Sequence, residues 1–260
     1  SAIALRHSMW YLKSKRLGQV SVGLYSFAAD DILSSMAVGG TATAAQGNYD
    51  AAPGMGLNFG GTNVAVKDVF DVRDIDRGNI IRYDSPSLAG FKLSAAWGED
   101  DRWDIALRYA GEFNGIKIAA GVAYHVDRDN KPGSPSQRTP VDYEDFRMAG
   151  GILHVPTGLF VDAGYANVNF NPTASQRAAN PFIRDDFTFW YVRPGIYKKF
   201  FALGKTSIFG EYGEAEGSGR LQDGGNIANV FTSADGTFYG VGVQQYIDAA
   251  AMEMYFGWRR

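Results

Sequence analysis

Charged side chains recur at alternate positions of several short segments, and they have the clearest capacity for chemistry in this chain. Arg82 and Asp84 fall on one side of their segment, opposite Ile81 and Tyr83. Arg108 falls in the same way on the more polar side of its own segment. Successive side chains of a strand point to opposite faces, so these charges would line one face of a sheet. Fixed charges along a narrow aqueous passage select ions and orient polar solutes.

The same alternation extends to other basic residues. Arg6 shares a side with Ser8, opposite His7 and Met9. The remaining basic residues on polar sides of their segments are Lys92, Lys117 and Arg147. We predict that Arg6, Arg82 and Arg108 face the lumen of a closed sheet.

The residue types that catalyse reactions do not form a recognisable site. The three histidines lie in separate segments without metal-ligand spacing: His7, His125 and His154. There is no cysteine and no Gly-x-Ser-x-Gly nucleophile turn. Gly204-Lys205-Thr206 lacks the first glycine of a phosphate loop, because Lys199 stands there, and Asp71, Asp74 and Asp76 do not match a calcium loop. We therefore expect no enzyme activity, no metal and no cofactor, although a surface calcium stays open.

Composition narrows the class of protein further. The chain has 260 residues, 14% of them aromatic, and a formal net charge of −3, which gives no electrostatic basis for binding nucleic acid. No apolar run is long enough for a membrane-spanning helix, but strands of a barrel need only about 10 alternating residues. No linker composition divides the chain, so we predict a single domain over 1–260.

Alternation of period two runs through nearly the whole sequence. In 103–109, for example, Trp103, Ile105, Leu107 and Tyr109 share one side. The apolar side often ends in Tyr or Trp, as on the lipid-facing band of a transmembrane barrel, where such residues form an interfacial girdle. About twelve strands are predicted, near 3–13, 17–26, 79–86, 90–98, 103–111, 116–126, 142–155, 159–169, 187–200, 205–213, 237–247 and 251–260.

The connections between these strands alternate in length, which favours a particular topology. Short links alternate with connections that are long, except at 99–102. A meander with tight turns at one end and long loops at the other is the layout of an outer-membrane barrel. The fold class predicted is therefore an all-β, transmembrane, antiparallel up-and-down β-barrel. Segment 27–78 is too long for an ordinary loop, and we expect it to fold inward as a constriction loop.

Several motifs together resemble the Gram-negative general porin family. The run Arg82-Tyr83-Asp84-Ser85-Pro86, followed by Gly90-Phe91, is similar to the family's strand after its constriction loop. Similar short motifs lie around Leu5-Arg6, at 57–61, at 156–160, at 204–212 and from Gln245 to Tyr255. Their shared order along the chain carries the resemblance, which covers essentially the whole sequence.

The resemblance implies a function and an assembly. It implies a sixteen-stranded homotrimeric porin of the bacterial outer membrane, through which small hydrophilic solutes and ions diffuse passively. Outer-membrane lipid and lipopolysaccharide would surround it. It implies wall arginines at Arg6 and Arg82. Aligned in this way, the twelve strands correspond to the family's fourth to fifteenth, so a barrel would close only with further strands.

The acids that would oppose the arginines are less clear from the sequence. Family members carry acidic residues at the loop tip, where this chain has Asn58 and Thr62. Asp50, in the middle of the segment, is the best acidic candidate. Because the tip lacks acids, we expect a weaker cation preference than in acidic-tip relatives, or a mild anion preference.

Three other classes of function stay open at this point. A substrate-selective channel differs from a general porin only in its ligand, which the residues do not identify. A barrel enzyme, such as a lipase or protease, needs a nucleophile beside a histidine on the outer wall or the rim. A soluble β-rich binding protein would bury its apolar strand faces between sheets, and solubility without detergent would favour it.

Overall fold

The fold is described here from a computed structural model of the chain. It describes residues 5–41, 56–59, 62–65, 75, 77–99, 101–128, 142–179, 185–218 and 234–260. Structural statements concern these residues.

Twelve antiparallel strands form one sheet in which neighbours in sequence are neighbours in space. Their bounds are β1 Ser8–Ser14, β2 Gly18–Ser26, β5 Arg77–Asp84, β6 Phe91–Gly98, β7 Trp103–Phe113, β8 Ile116–Asp127, β9 Asp142–His154, β10 Leu159–Asn171, β11 Asp186–Phe201, β12 Gly204–Ser218, β13 Ala234–Ile247 and β14 Met252–Arg259. A separate hairpin joins β3 Gly56–Phe59 to β4 Thr62–Ala65, and the helical segments are α1 Ile32–Ser35, α2 Ala174–Ala179 and a 3-10 turn Asp248–Ala250. The predicted all-β meander is confirmed.

The sheet stays open within the described residues. β1 and β14 are the two edges of the sheet, each paired on one side only. β1 begins at Ser8 rather than near residue 3, and β5 takes residues 77 and 78 from the predicted long segment. Backbone groups on a bare edge have no partner in lipid, where each would cost several kcal/mol, so an edge in a membrane requires a further strand.

The two faces of the sheet differ as the alternation predicts. On β5, Ile81 is 54% exposed whereas its neighbour Ile80 is 3% exposed. On β7, Trp103 and Leu107 are also exposed, whereas Asp104, which points to the opposite face, is buried. We call the exposed apolar side the outer face and the buried side the inner face. A two-layer sandwich would have buried Trp103 and Leu107, so that alternative is wrong.

An aromatic row crosses the outer face near the long-loop end. From β6 to β14 each strand contributes one member: Trp97, Trp103, Tyr124, Phe146, Tyr165, Trp190, Tyr212, Tyr239 and Trp258. Trp97 pairs directly with Trp103, and the rings of Trp190 and Tyr212 lie 5.5 Å apart. Amphipathic rings at one level of a barrel wall favour a membrane–water boundary at that level.

Candidate functional site

Arg82 and Asp84 stand side by side on the inner face of β5, where alternation directs both. Arg82 donates through Nε to Asp84 Oδ2 at 3.1 Å and through Nη2 to Oδ1 at 3.0 Å. Ser94 on β6 donates to the same carboxylate at 2.6 Å, and Lys92 Nζ lies 3.2 Å from it. This buried carboxylate therefore fixes the Arg82 guanidinium in one orientation through a two-point ion pair.

The chain that leaves β2 turns onto this inner face. Arg82 Nη1 donates to the carbonyls of Ser26 and Phe27, both at 3.0 Å. Arg108 Nη2 on β7 donates to the carbonyls of Ala28 at 2.7 Å and Asp30 at 2.9 Å. Arg82 and Arg108, both predicted to face the lumen, thus hold the start of the predicted inward segment.

A buried carboxylate on β7 holds the same stretch from its amide side. Asp104 Oδ2 accepts a hydrogen bond from the Ala29 amide at 2.7 Å. The Nδ1 atom of His125 lies 3.7 Å from the same Asp104 Oδ2 atom. The Phe27 ring packs edge-to-face on the His125 ring, with their centroids 5.0 Å apart. Arg102 stacks over the other side of Phe27, with Cζ 4.6 Å from the ring centroid. The first turn of the segment is therefore enclosed by charged and aromatic wall residues.

Asp162 on β10 holds residues 38–41, at the end of the first described stretch of the segment. Asp162 is 0% exposed. Its carboxylate accepts hydrogen bonds from the Val38 amide at 2.8 Å, the Gly39 amide at 3.3 Å and the Thr41 hydroxyl at 3.0 Å. Gly151, across from Asp162, makes room for this contact, because a Cβ there would lie 2.3 Å from Asp162 Oδ1.

Two tyrosines bind the segment between and beyond these carboxylates. Tyr191 on β11 donates to the Leu33 carbonyl at 2.6 Å, and Tyr246 on β13 donates to the Gly40 carbonyl at 3.4 Å. Asp104 and the two tyrosines bind main-chain atoms, as the wall arginines do, and Asp162 binds two amides and one hydroxyl. The wall consequently fixes the path of residues 26–41 largely through their backbone.

The contacts of Asp104 and Tyr191 with the segment bear on the curvature of the sheet. Asp104 lies on β7 and Tyr191 on β11, four interstrand spacings apart, or about 19 Å along a flat sheet. Their partners, residues 29 and 33, are four residues apart and so are separated by at most about 14 Å. A sheet that curves around the segment brings Asp104 and Tyr191 toward these two partners, and Ile32 and Met36 pack against its inner wall.

The inner face of the later strands carries further ion pairs. Arg147 on β9 donates to both oxygens of Asp145 at 2.9 and 2.7 Å. Glu211 on β12 accepts from Arg193 at 3.1 Å and from Arg259 at 2.8 Å. Basic residues thus stand on the inner face of β5, β7, β9, β11 and β14, spaced around the wall.

The sequence-predicted residues fall into three groups. Arg82, Asp84 and Arg108 lie on the inner face, in contact with one another or with the inward segment. Asp50 lies outside the described residues. Asn58 and Thr62 belong to the hairpin of β3 and β4, where Asn58 pairs with Asn63 and Thr62 with Phe59.

The inner-face prediction for Arg6 rests on a register that is wrong. Ser8, whose side Arg6 was predicted to share, pairs with Leu24, and Leu24 pairs with the outward residue Asn79. The inner face of β1 belongs instead to the alternate set that includes Met9. Arg6 itself precedes the strand and is exposed. β1 is an edge strand with apolar residues on both faces, so its alternation did not identify the inner side.

Sequence reasoning missed the residues that hold the segment most firmly. Asp104 alternates with Trp103 and Ile105 and so falls on the same side of its strand as Arg108, which is a usable signal. Asp162 sits among small and apolar residues, and its partner Val38 is 124 positions away in sequence. No local pattern marks such a pair.

Two of the three histidines lie beside a hydroxyl group, and the third is buried. His125 is buried, and neither ring nitrogen has a hydrogen-bond partner among the described residues. His7 lies 3.3 Å from Ser26 Oγ and His154 lies 2.8 Å from Thr157 Oγ1, but the described part of the chain gives neither ring a carboxylate partner. Within that same part, no group of three or more His, Asp or Glu side chains is arranged to hold a metal, and no helix is long and apolar enough to cross a membrane.

The open meander with an apolar outer face and a segment on its inner face defines a porin-like outer-membrane β-barrel fold. Solved structures share it. OmpT of Vibrio cholerae, an outer membrane protein in its trimer form, matches at a TM-score of 0.54 and 15% identity, covering 100% of this chain and 71% of that one. OmpF of Salmonella typhi, in complex with daunomycin, matches at 0.52 and 15%, covering 98% and 70%. At 15% identity these likenesses concern the fold, which this chain shares with the two outer-membrane barrels.

Length and sequence comparisons set the scope of this likeness. A second structure of OmpT matches with 16% identity over 93% of this chain but only 65% of its own length. The chain therefore spans about two thirds of the length of these proteins. No protein-family model and no curated protein matches the sequence.

Proposed function

We propose that this chain forms the greater part of a porin, a water-filled channel through which small hydrophilic solutes and ions diffuse passively across the outer membrane. The observation that carries the proposal is the segment 27–41 lying on the concave inner face, held at both ends by buried wall carboxylates. A segment in this position narrows the lumen without closing the sheet. The full segment 27–78 is the proposed constriction loop.

The charges on the inner face support ion selection as part of this function. Arg82 and Arg108 both donate hydrogen bonds to carbonyls at the start of the segment. Asp84 is shared by Arg82 and Lys92, so it compensates only one of these two positive charges. Arg108 binds two backbone carbonyls of the segment. With Asn58 and Thr62 at the loop tip, we propose a weak cation preference or a mild anion preference.

The assembly is part of the same proposal. The exposed apolar outer face suits lipid or a neighbouring copy of the chain, and one structural neighbour is described as a trimer. We propose a homotrimer in contact with outer-membrane lipid and lipopolysaccharide. Further strands must pair with the free edges of β1 and β14 in the membrane.

A substrate-selective channel is the nearest alternative, and it differs in having saturable solute flux. A barrel enzyme is less well supported, because the histidine–hydroxyl pairs of the described residues lack the carboxylate that would orient a catalytic base.

Planar-bilayer recording of detergent-purified protein tests the proposal. We expect ohmic steps that arrive in groups of three for a trimer, with a conductance that scales with salt concentration. Folded protein, verified by its β-sheet circular dichroism, that inserts without conducting would refute the channel. Single steps throughout would refute the trimer alone.

A further inference from the structure

The lysines that the structure describes are distributed unevenly between the two ends of the sheet. Every lysine in the described part of the chain lies within four residues of a short turn: Lys13, Lys15, Lys92, Lys117, Lys198, Lys199 and Lys205. Because the strands alternate in direction, all these turns lie at one end of the sheet. We call it the turn end, and the opposite end the loop end.

The described residues at the loop end include many carboxylates and no lysine. Acidic residues stand there at strand ends and in the short connection 99–102, among them Glu99, Asp101, Glu144, Asp186, Glu214 and Glu216. None of the described lysines lies at this end. Among the described residues the lysines are therefore confined to the turn end, whereas the loop end carries carboxylates together with arginines such as Arg102, Arg128 and Arg177.

The connection between β11 and β12 combines the basic charge with exposed apolar side chains. Lys198 and Lys199 are followed by Phe200, Phe201 and Leu203, and Phe201 is 61% exposed. Lys198 pairs with Thr206 on the outer face, next in register to Ile196 and Ile208. The apolar surface of the outer wall therefore continues into this hairpin, and the two ammonium groups lie at its border.

The connection between β1 and β2 repeats the arrangement. Lys15 and Arg16 are exposed in the turn, next to Leu17, which is 74% exposed. Tyr83 on the outer face of β5 donates its hydroxyl to the Leu17 carbonyl at 2.9 Å and so fixes the turn against the wall. Two hairpins at the same end thus each offer two cationic groups beside protruding apolar side chains.

We propose that these two hairpins, at residues 13–17 and 198–203, bind the headgroups of anionic phospholipids in the leaflet at the turn end. Apolar side chains next to the lipid-facing wall enter the acyl boundary, while long basic side chains extend toward the headgroup phosphates. In outer-membrane barrels the short turns face the periplasm, so the leaflet concerned is the phospholipid leaflet. A protein partner would not require the apolar residues to be continuous with the lipid-facing wall.

Within the described residues, Lys198 and Lys199 make only long contacts. Lys198 Nζ donates to the Pro156 carbonyl at 3.5 Å, and Lys199 Nζ lies 3.7 Å from Asp248 at an exposed position. Such long surface contacts are weak and leave the ammonium groups able to meet a phosphate.

Native mass spectrometry of protein from mixed phosphatidylglycerol and phosphatidylcholine nanodiscs tests the proposal. We expect wild type to retain phosphatidylglycerol preferentially, and K198Q/K199Q to lower that preference by up to about fivefold for each lysine removed. K198R/K199R, which keeps the charge, should retain it. The matched control is K117Q/K205Q, since both lysines lie at the same end but on the inner face.

Several outcomes overturn the proposal. Equal retention of the two lipids by wild type does so, as does an equal loss in K117Q/K205Q. In a second set of nanodiscs that also contains lipopolysaccharide, its preferential retention through Lys198 and Lys199 would overturn the choice of leaflet. None of these readouts depends on conductance, so failure of the channel proposal would leave the result unchanged.

Discussion

Replacing Asp162 should release the far end of the inward segment. In Asp162→Ala, the Val38 and Gly39 amides and the Thr41 hydroxyl lose their acceptor in a site that is 0% exposed. Hydrogen bonds to a charged acceptor contribute about 1.5–3 kcal/mol each, and they are not additive because the three donors share one carboxylate. We expect the segment end to become less stable by about 3 kcal/mol, or about 150-fold in its opening equilibrium.

Asp162→Asn should have a smaller effect, because the amide oxygen still accepts from Val38 and the Thr41 hydroxyl can rotate to accept from the new NH₂ group. Only the Gly39 amide, at 3.3 Å the longest of the three contacts, then loses its partner. We expect a loss of about 1 kcal/mol.

Hydrogen exchange of peptides from 27–41 in lipid nanodiscs measures this, with single-channel noise as the functional readout. Asp145→Ala is the matched control, since Asp145 is a buried inner-face carboxylate that pairs with Arg147. Protection around residue 38 should fall strongly in Asp162→Ala, slightly in Asp162→Asn and little in the control. Equal protection in Asp162→Ala and Asp145→Ala would refute the role of Asp162.

Three further variants test other parts of the structure. Gly151→Ala should reproduce the loss of segment protection, whereas Gly150→Ala, whose Cβ would meet nothing closer than 3.2 Å, should not; equal exchange in both would count against the close packing. Arg82→Ala should alter the reversal potential across a salt gradient and Arg6→Ala should not, and the opposite ranking would return Arg6 to the pore. Leu107→Arg, on the outer face, should lower the free energy of unfolding in a bilayer by about 2–4 kcal/mol, and unchanged urea unfolding would argue against lipid at that position.

Strand existence and order were predictable because alternation is a local property. The alternation of Ile81 and Tyr83 with Arg82 and Asp84 predicts a strand. The two charged residues mark the side that faces inward. At β1 the same reasoning failed for Arg6, since Trp10 and Tyr11 are both exposed and the edge strand has no second neighbour to distinguish its faces.

The candidate site was only partly predictable, for a different physical reason. Arg82 and Arg108 are charges in an alternating context, so their side of the sheet was clear. What they bind, the carbonyls of residues 26–30, is a property of backbone position. Main-chain groups are identical at every residue except proline, and a sequence therefore carries little record of which ones a side chain will meet.

Attachment through the backbone has a consequence for engineering. Most wall contacts reach amides and carbonyls, so exposed side chains such as Asp31 and Ser35 can be exchanged without changing the route of the segment, whereas the buried Ile32 and Met36 cannot. The fixed points are steric, such as Gly39, where an added Cβ would collide with Phe160. Variants with different exposed side chains between the anchors at Ala29 and Val38 would keep the same backbone route and differ in the groups that face the lumen. Such variants could be used to build pores that respond to chosen solutes.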